Sequence, residues 1–232
     1  MDAIGRQWLV VLVAGGLALA GAGQGAAAER RPLAEGTQAP NFFVKTYNPE
    51  ACGAKRVFLD KLVGERAGAG RKKLVILSFF NIDCKPCRKE LPFLQRLHER
   101  YRDDGLAVVV VNCDYKRDKI AQVQKYVTEA GFTFPVLKDR FQALQRRYSI
   151  GKFPTMYILD AAGLIVDVRV GYNEEKKPFP LADLQRRLGV AQQPLPPAEK
   201  AAAGAAEKKS EKKRGDVKGA SSKRKPGGKR GG

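Results

Sequence analysis

The chain has 232 residues and a formal net charge of +19, with one histidine and four cysteines. This length predicts one folded domain of about 150 residues with additional segments, large enough to form a core without disulfide support. A single histidine excludes sites built on several imidazoles, and a four-cysteine zinc site would need every cysteine of the chain, so a metal enzyme is not expected.

The first 28 residues have the layout of a signal peptide. An apolar run over residues 8–22 follows a short start with one arginine, and three alanines end the segment at Ala28. The run is shorter than the roughly 20 residues that span a membrane comfortably. We expect cleavage near Ala28, with an uncleaved N-terminal anchor as the alternative. Either way the sequence predicts export to an oxidising compartment, the periplasm, with residues 29–36 as a linker.

The folded body opens with a predicted β-hairpin, whose strands are residues 41–46 and 55–59. Residues 73–80 (KLVILSFF) are continuously apolar, which is typical of a strand buried on both faces. Apolar residues at helical spacing predict a helix from 85 to 101, with a kink at Pro92.

The rest of the body continues to alternate strands and helices. In chain order we predict strand 106–111, a helix over about 117–130, strand 134–137, a helix ending at Tyr148, strands 155–159 and 164–170, and a last helix marked by Leu181, Leu184 and Leu188. A short turn joins the last two strands, which makes them an antiparallel pair. This order predicts an α/β sandwich with a mixed central sheet over residues 37–193.

Residues 194–232 form a basic tail without aromatic side chains. The tail carries twelve basic and four acidic residues, hence +8 of the net charge, and leaves +11 on the body. Because it cannot bury enough apolar surface to offset its ordering entropy, it is predicted to be disordered. It fits adhesion to an anionic envelope polymer or lipid surface and a merely solvated tail equally well. Without aromatic residues to stack on bases, it predicts no specific nucleic-acid binding.

A C-x-x-C motif, Cys84 and Cys87, stands at the start of the helix that follows the buried strand. Free backbone N–H groups and the helix dipole at this end favour thiolate over thiol. One helical turn separates the sulfurs, so the pair is able to alternate between dithiol and disulfide, and Pro86 suits the first turn. The spacing also fits half of a zinc site, but the strand–turn–helix context and the lack of a second such pair favour redox chemistry.

Four motifs follow one another along the body: APNF at 39–42, LVILSFFNIDCKPCRKELP at 74–92, FPV at 134–136 and GKFPT at 151–155. As an ordered set, covering residues 37–190, they resemble the exported thioredoxin-like reductases of the TlpA/ResA type. The resemblance implies a thioredoxin-like fold and a thiol-disulfide oxidoreductase that acts mainly as a reductase.

The resemblance also implies roles for individual residues. Cys84 would attack a substrate disulfide, and Cys87 would resolve the mixed disulfide. Pro154 would be a cis proline lying against the disulfide, with an ordinary trans turn as the alternative. Phe153 and Thr155, which flank it, would complete the substrate-binding edge.

Glu90 lies three residues after Cys87, so both are neighbours on one helix face. A carboxylate there would accept the proton of the resolving thiol and raise its pKa by like-charge repulsion. The resemblance supports this role, because ResA-type members carry an acid at the matching place. The alternative is a solvated glutamate that favours the helix dipole. Ser78 replaces the buried acid of cytoplasmic thioredoxins, which shifts the acid–base role towards Glu90.

Several residues near the motif depart from the family pattern or lie outside it. Asp83 replaces the usual tryptophan and opposes thiolate formation at Cys84, whereas Lys85 favours it. Cys113 follows the strand 106–111. It is either a third thiol near the active site or, as we favour, a partly buried and inert cysteine.

Two further residues receive no catalytic role. Cys52 lies in the hairpin loop, and we expect no disulfide between it and Cys113. His98 is predicted to be a solvated residue of the helix.

The sequence thus predicts an exported oxidoreductase, periplasmic or anchored facing the periplasm, that reduces protein disulfides without a bound cofactor. Its implied partners are a disulfide-bearing exported protein and a membrane thiol donor. The alternative from another class is a thioredoxin-like interaction module with a structural disulfide, tethered to an anionic envelope surface by its tail. A peroxidase is less favoured, because peroxide-reducing families place their cysteines in a different context.

Overall fold

A computed structural model of the protein describes residues 30–196. The predicted signal peptide and almost all of the predicted disordered tail therefore lie outside the described residues. Between residues 30 and 196 there is no helix with the length and apolar character of a membrane span. Residues 194–196, which composition assigns to the tail, still contact the domain: Leu195 packs against the core, and the carbonyl of Pro196 accepts a hydrogen bond from Arg96 (3.3 Å).

The predicted hairpin is present as a small ribbon beside the main sheet. Strands β1 (Phe43–Lys45) and β2 (Arg56–Phe58) pair antiparallel, and a short helix α1 (Pro49–Cys52) connects them. Two 3₁₀ helices follow, Leu59–Lys61 and Glu65–Gly70, which the sequence does not predict. Turns this short bury a single leucine, Leu59, and so leave no helical period to read.

The remaining predicted elements are all confirmed, with small changes in their bounds. They are β3 (Leu74–Phe80), α2 (Lys85–Tyr101), β4 (Leu106–Asn112), α3 (Arg117–Ala130), β5 (Val136–Lys138), α4 (Ala143–Arg147), β6 (Thr155–Asp160), β7 (Ile165–Val170) and α5 (Leu181–Leu188). The five-stranded sheet has the order β5-β4-β3-β6-β7. Strands β3, β4 and β5 are parallel, and β6 runs antiparallel to β3 and β7, which makes the predicted mixed sheet.

The sheet separates two hydrophobic cores. Strand β3 is buried along its whole length, and alternate side chains enter opposite cores. Ile76 and Phe80 join the first core, which packs under α2, α3 and α5, whereas Leu77 and Phe79 join the second, which packs under α4. Helix α2 runs without interruption through Pro92.

The topology brings the predicted site residues to one edge of the sheet. Cys84 follows the carboxyl end of β3, and Pro154 precedes β6, which begins at the same edge because it runs antiparallel to β3. The register confirms this placement, since Phe79 is paired with Thr155. Ligands bind at the carboxyl edge of such sheets, where the connecting loops are free to carry functional groups.

A buried amide attaches the hairpin to the sheet. The side-chain nitrogen of Asn48 donates to the carbonyls of Phe132 and Phe134 (2.8 Å each), and its oxygen accepts from the N–H of Val136 (3.0 Å). Asn48 is 9% exposed, so these backbone groups have no access to water in its place. The Asn48 side chain therefore satisfies three backbone hydrogen-bonding groups of residues 132–136, the segment that leads into β5.

We expect Asn48→Ala to lower the free energy of unfolding by about 2–4 kcal/mol, because buried carbonyls and an N–H group lose their partner. Urea denaturation followed by circular dichroism measures the change. Asn173→Ala is the matched control, since Asn173 caps an exposed loop and its loss should cost less than about 1 kcal/mol. Equal costs for the two variants would show that the Asn48 bridge is not a main support of the fold.

Candidate active site

Cys84 and Cys87 are joined by a disulfide at the N-terminus of α2, with an S–S distance of 1.98 Å and a Cα–Cα distance of 5.3 Å. Cys84 is the N-cap residue of the helix, and its sulfur accepts a hydrogen bond from the backbone N–H of Cys87 (3.1 Å). Cys84 is half-buried, whereas Cys87 is completely buried in the first core. An incoming sulfur therefore reaches Cys84 before Cys87.

The peptide bond between Phe153 and Pro154 is cis, as predicted. Phe153 and Cys84 both pack against the first core, and the carbonyl of Pro154 accepts a hydrogen bond from Gly171 (2.8 Å). Pro154 and Thr155 are buried, and the Thr155 hydroxyl donates to the carbonyl of Lys152 (2.8 Å). Of the three residues predicted for the substrate edge, Phe153 is therefore the one that is partly exposed. The Thr155 side chain instead stabilises the turn through its hydrogen bond to Lys152.

Glu90 is buried, with 2% of its surface exposed, and its carboxyl accepts a hydrogen bond from the Ser78 hydroxyl (2.6 Å). Burial raises the pKa of Glu90 to about 7, while the Ser78 hydrogen bond and the charge of Arg169 oppose the rise. The solvated alternative for Glu90 is therefore wrong. Glu90 and Cys87 both belong to the buried side of α2. With a pKa of about 7, the Glu90 carboxyl is able to take up and release a proton at neutral pH.

Arg169 is a site residue that the sequence does not predict. Ser78 pairs with Met156 on β6, and Met156 pairs with Arg169 on β7, so the three side chains project from the same face of the sheet. The guanidinium of Arg169 is largely buried and donates to the carbonyls of Lys177 (3.0 Å) and Pro178 (2.7 Å). Its position depends on the pairing of β6 with β7, which only a register prediction would have revealed.

The charge of Asp83, next to Cys84, is opposed by a residue from another helix. The Lys119 ammonium, in the first turn of α3, lies 2.8 Å from the Asp83 carboxylate, and this hydrogen bond raises the pKa of Lys119. The sequence weighs Asp83 against Lys85 alone and does not predict Lys119. A basic residue at the start of the helix after the neighbouring parallel strand is the signal that points to it.

The two remaining cysteines are free thiols, so the predicted absence of a Cys52–Cys113 disulfide is confirmed. Cys113 is buried in the second core, on the other side of the sheet from Cys87. Burial, with the nearby carboxylates of Asp139 and Asp114, raises the pKa of Cys113 well above its ordinary value. Burial also raises the pKa of Cys52. Both groups are protonated and weakly nucleophilic at neutral pH.

The prediction that His98 is solvated is wrong. His98 is half-buried, its ring meets Phe134 edge to face at 6.2 Å, and its Nδ1 is buried without a hydrogen-bond partner among residues 30–196. Burial, together with the charge of Arg102, lowers the pKa of His98 to about 4. The helical period places His98 beside the core face, and the Phe134 segment covers it.

Among residues 30–196, no group of three or more histidine, cysteine, aspartate or glutamate side chains converges in an arrangement that would hold a metal ion.

Comparison with known proteins agrees with this geometry. The model of the AhpC/TSA family matches residues 36–168. The thioredoxin-like protein YneN of Bacillus subtilis is 35% identical over 145 residues, which cover 62% of this chain and 76% of that protein. The thiol-disulfide oxidoreductase ResA of Bacillus anthracis is 30% identical over 148 residues, or 64% of this chain and 76% of that protein.

A solved structure has the same fold. A crystal structure from Chlorobium tepidum, described as a thiol:disulfide interchange protein of the DsbE type, superposes with a TM-score of 0.57 at 25% identity. The superposition covers 68% of this chain and 99% of that chain.

We expect the contribution of Glu90 to the free energy of unfolding of the oxidised protein to fall as the pH rises from about 4.5 to about 7, while His98, whose pKa is lowered to about 4, contributes in the opposite direction. The folded protein holds the Glu90 proton up to a pKa of about 7, whereas an ordinary value of 4.5 applies once the chain unfolds. The stabilisation is therefore complete below the ordinary pKa and is lost as the pH passes the raised one, on the order of 3 kcal/mol in all. Urea denaturation of wild type and of Glu90→Gln across this pH range, without reductant, measures it as the difference between the two proteins.

Glu90→Gln should remove this contribution, because an amide does not titrate, and should leave the rise in stability that His98 causes between about pH 4 and pH 6.5. Glu129→Gln is the control: Glu129 is exposed on α3, so the variant should keep the wild-type pH dependence. A Glu90→Gln protein with an unchanged pH profile would show that another group is responsible.

We expect Lys119→Gln to raise the pKa of the Cys84 thiol in the reduced protein, because the Asp83 carboxylate is left uncompensated beside it. Ultraviolet absorbance of the thiolate during a pH titration measures this, and attack on a small neutral disulfide near neutral pH should slow by about twofold to fivefold. Asp83→Asn should act in the opposite direction.

Two controls test the cause of this effect. The difference between Lys119→Gln and wild type should shrink in about 1 M salt, where the screening length is about 3 Å. Lys125→Gln removes an exposed charge elsewhere on α3 and should leave the Cys84 titration unchanged. A Lys119→Gln titration identical to wild type at low salt would contradict the proposed compensation.

Proposed function

The chain belongs to the AhpC/TSA family and is a thiol-disulfide oxidoreductase, and on this premise we propose that it reduces the disulfides of exported proteins with Cys84 and Cys87. The observation that carries the proposal is the asymmetry of the pair. Cys84 is half-buried at a helix N-terminus, and Cys87 lies buried on the same helix as the buried Glu90. One sulfur is placed to meet a substrate and the other to resolve the product.

In the first proposed step the Cys84 thiolate attacks one sulfur of the substrate disulfide. A disulfide forms between Cys84 and that sulfur, the substrate S–S bond breaks, and the second substrate sulfur leaves as a thiolate that takes a proton from water. The helix N-terminus lowers the cost of the attacking thiolate, because the free N–H groups of the first turn face it.

In the second step the Cys87 thiol gives its proton to the Glu90 carboxylate, and its sulfur attacks Cys84. The mixed disulfide breaks, the remaining substrate sulfur leaves as a thiolate, and the Cys84–Cys87 disulfide forms. Two electrons have then passed to the substrate. This step needs a base, because burial disfavours the thiolate form of a thiol and Cys87 is completely buried. Glu90 is suited to be that base, since a carboxyl with a pKa of about 7 is partly ionised at neutral pH.

The cellular setting belongs to the same proposal. The signal-like layout of residues 1–28 supports export of the domain over residues 37–193, with 29–36 as a linker. Each cycle leaves the protein oxidised, so work as a reductase in an oxidising compartment requires a thiol donor, which we place at the membrane. The basic tail, 194–232, is suited to holding the protein near an anionic polymer or lipid surface.

We expect Cys87→Ala to accumulate mixed disulfides on Cys84, because the resolving sulfur is gone while the attacking one remains. The full chain is expressed with its own N-terminal segment, trapped with acid, and separated on non-reducing gels, and captured proteins are identified after reduction. Cys84→Ala/Cys87→Ala is the control that should capture nothing, since the remaining cysteines are buried or half-buried protonated thiols.

Absence of any Cys84 adduct would contradict the proposed reduction. So would a wild-type disulfide that stays oxidised at potentials far below about −300 mV, which is the behaviour of a structural disulfide. That result would favour the interaction module with a structural disulfide.

A further inference from the structure

Three loops surround Cys84 at the carboxyl edge of the parallel strands. They follow β3, β4 and β5, and they carry exposed side chains that the proposed chemistry does not use. We call this set the catalytic-edge surface and define it as Lys85, residues 115–117 and residues 140–141.

Buried aspartates tie these loops together. The Asp114 carboxylate accepts hydrogen bonds from the backbone N–H of Ile82 (2.8 Å) and from the Asn112 side chain (2.7 Å), which joins the loops after β3 and β4. The N–H of Asp139 donates to the Asn112 carbonyl (3.0 Å), and its carboxylate accepts from the N–H of Gln145 (2.8 Å). The catalytic-edge surface is therefore organised before any partner binds.

This surface exposes two aromatic side chains. Tyr115 is 57% exposed and Phe141 is 83% exposed. Hydrogen bonds hold the loop around Phe141 in place. The backbone carbonyl of Phe141 accepts from the Arg146 guanidinium (2.9 Å), and the backbone N–H of Gln142, a residue with a positive φ of 52°, donates to the backbone carbonyl of Asp139 (2.9 Å). Exposed aromatic residues beside arginines are typical of surfaces that bind polypeptides rather than small ions.

The charges that face solvent on the catalytic-edge surface are mainly basic. The exposed basic side chains are Lys85, Lys116, Arg117 and Arg140. Among the neighbouring acids, Asp83 is engaged by Lys119, and Asp114 and Asp139 are buried with their carboxylates turned to N–H donors. On the three loops of this surface Asp118 is the exposed acid that remains; the loop after β7, which Gly171 joins to Pro154 at the same edge, carries Glu174 and Glu175 beside Lys176 and Lys177 and so adds no net charge. A partner with acidic side chains complements this arrangement.

We infer that the catalytic-edge surface binds an extended acidic segment of polypeptide and thereby directs reduction to disulfides that are flanked by aspartate or glutamate. The inference rests on the proposed function, since it names the substrate class of the same Cys84 site. The attraction acts on encounter: basic residues around the reactive sulfur raise the local concentration of an acidic segment and speed its association.

Two synthetic peptides test this inference. Each is closed by one disulfide, and they differ only in carrying glutamates or glutamines beside the cysteines. We expect the reduced full-length protein to reduce the glutamate peptide about tenfold faster than the glutamine peptide at about 20 mM salt, and the advantage to fade at about 0.5 M salt. Stopped-flow measurement of second-order rate constants gives both values.

Charge reversal locates the effect. Lys116→Glu/Arg117→Glu should abolish the preference or turn it towards the glutamine peptide, and acids at the start of α3 suit its helix dipole, so folding is retained. Lys61→Glu/Arg71→Glu is the matched control: it changes the net charge equally, but these exposed residues lie near the amino end of β3, at the opposite edge. The control should keep the wild-type preference.

The outcomes separate this inference from the proposed function. Equal reduction of both peptides at every salt concentration would overturn the inference and leave the reductase intact. A preference lost equally in both double variants would also overturn it, because the whole protein's field rather than the catalytic-edge surface would then be responsible. Failure to reduce either peptide would contradict the proposed reductase, and the inference with it.

Discussion

The complete burial of β3 is the constraint on which the rest of the structure depends. With β4 and β6 on its two sides and a core against each face, β3 favours apolar side chains, and six of its seven residues are Leu, Val, Ile or Phe. Its pairing with β4 and β6 sets the edge at which Cys84 leaves the sheet and Pro154 approaches it. The geometry of the redox pair therefore follows from packing several residues away from the sulfurs.

Ser78 is the one polar residue of β3, and its hydroxyl must find a partner inside the protein. The partner is Glu90, and the hydrogen bond between them holds a carboxyl where water does not reach. A carboxyl with one hydroxyl donor and a distant guanidinium is poorly compensated as an anion, so its pKa rises to about 7. The same burial that stabilises the sheet thus places a carboxyl that titrates near neutral pH on the same helix as Cys87.

The sequence predicts what local patterns determine. Apolar spacing locates α2, α3 and α5, and the C-x-x-C spacing with its strand–turn–helix context identifies the pair that forms the disulfide. The spacing also makes Glu90 a neighbour of Cys87, but burial is a property of the surrounding fold, and so the solvated alternative for Glu90 stayed open. Arg169 reaches the site through strand register, and Lys119 through the crossover of α3, and neither relation is written in adjacent residues. The prediction that His98 is solvated is wrong for the same reason, because Phe134, which covers the His98 ring, comes from a distant segment of the chain.

The distribution of thiols over the two cores has a consequence for the path of electrons. Cys113 follows β4 at the same edge as Cys84, and a third reactive thiol there would compete with Cys87 for the mixed disulfide. It does not compete, because its side chain enters the second core while Cys87 lies in the first, and the sheet stands between them. Burial and two nearby carboxylates keep Cys113 protonated, which removes the thiolate that exchange requires. The alternation of side chains across the sheet therefore keeps Cys113 apart from the route that we propose, from Cys87 through Cys84 to a substrate.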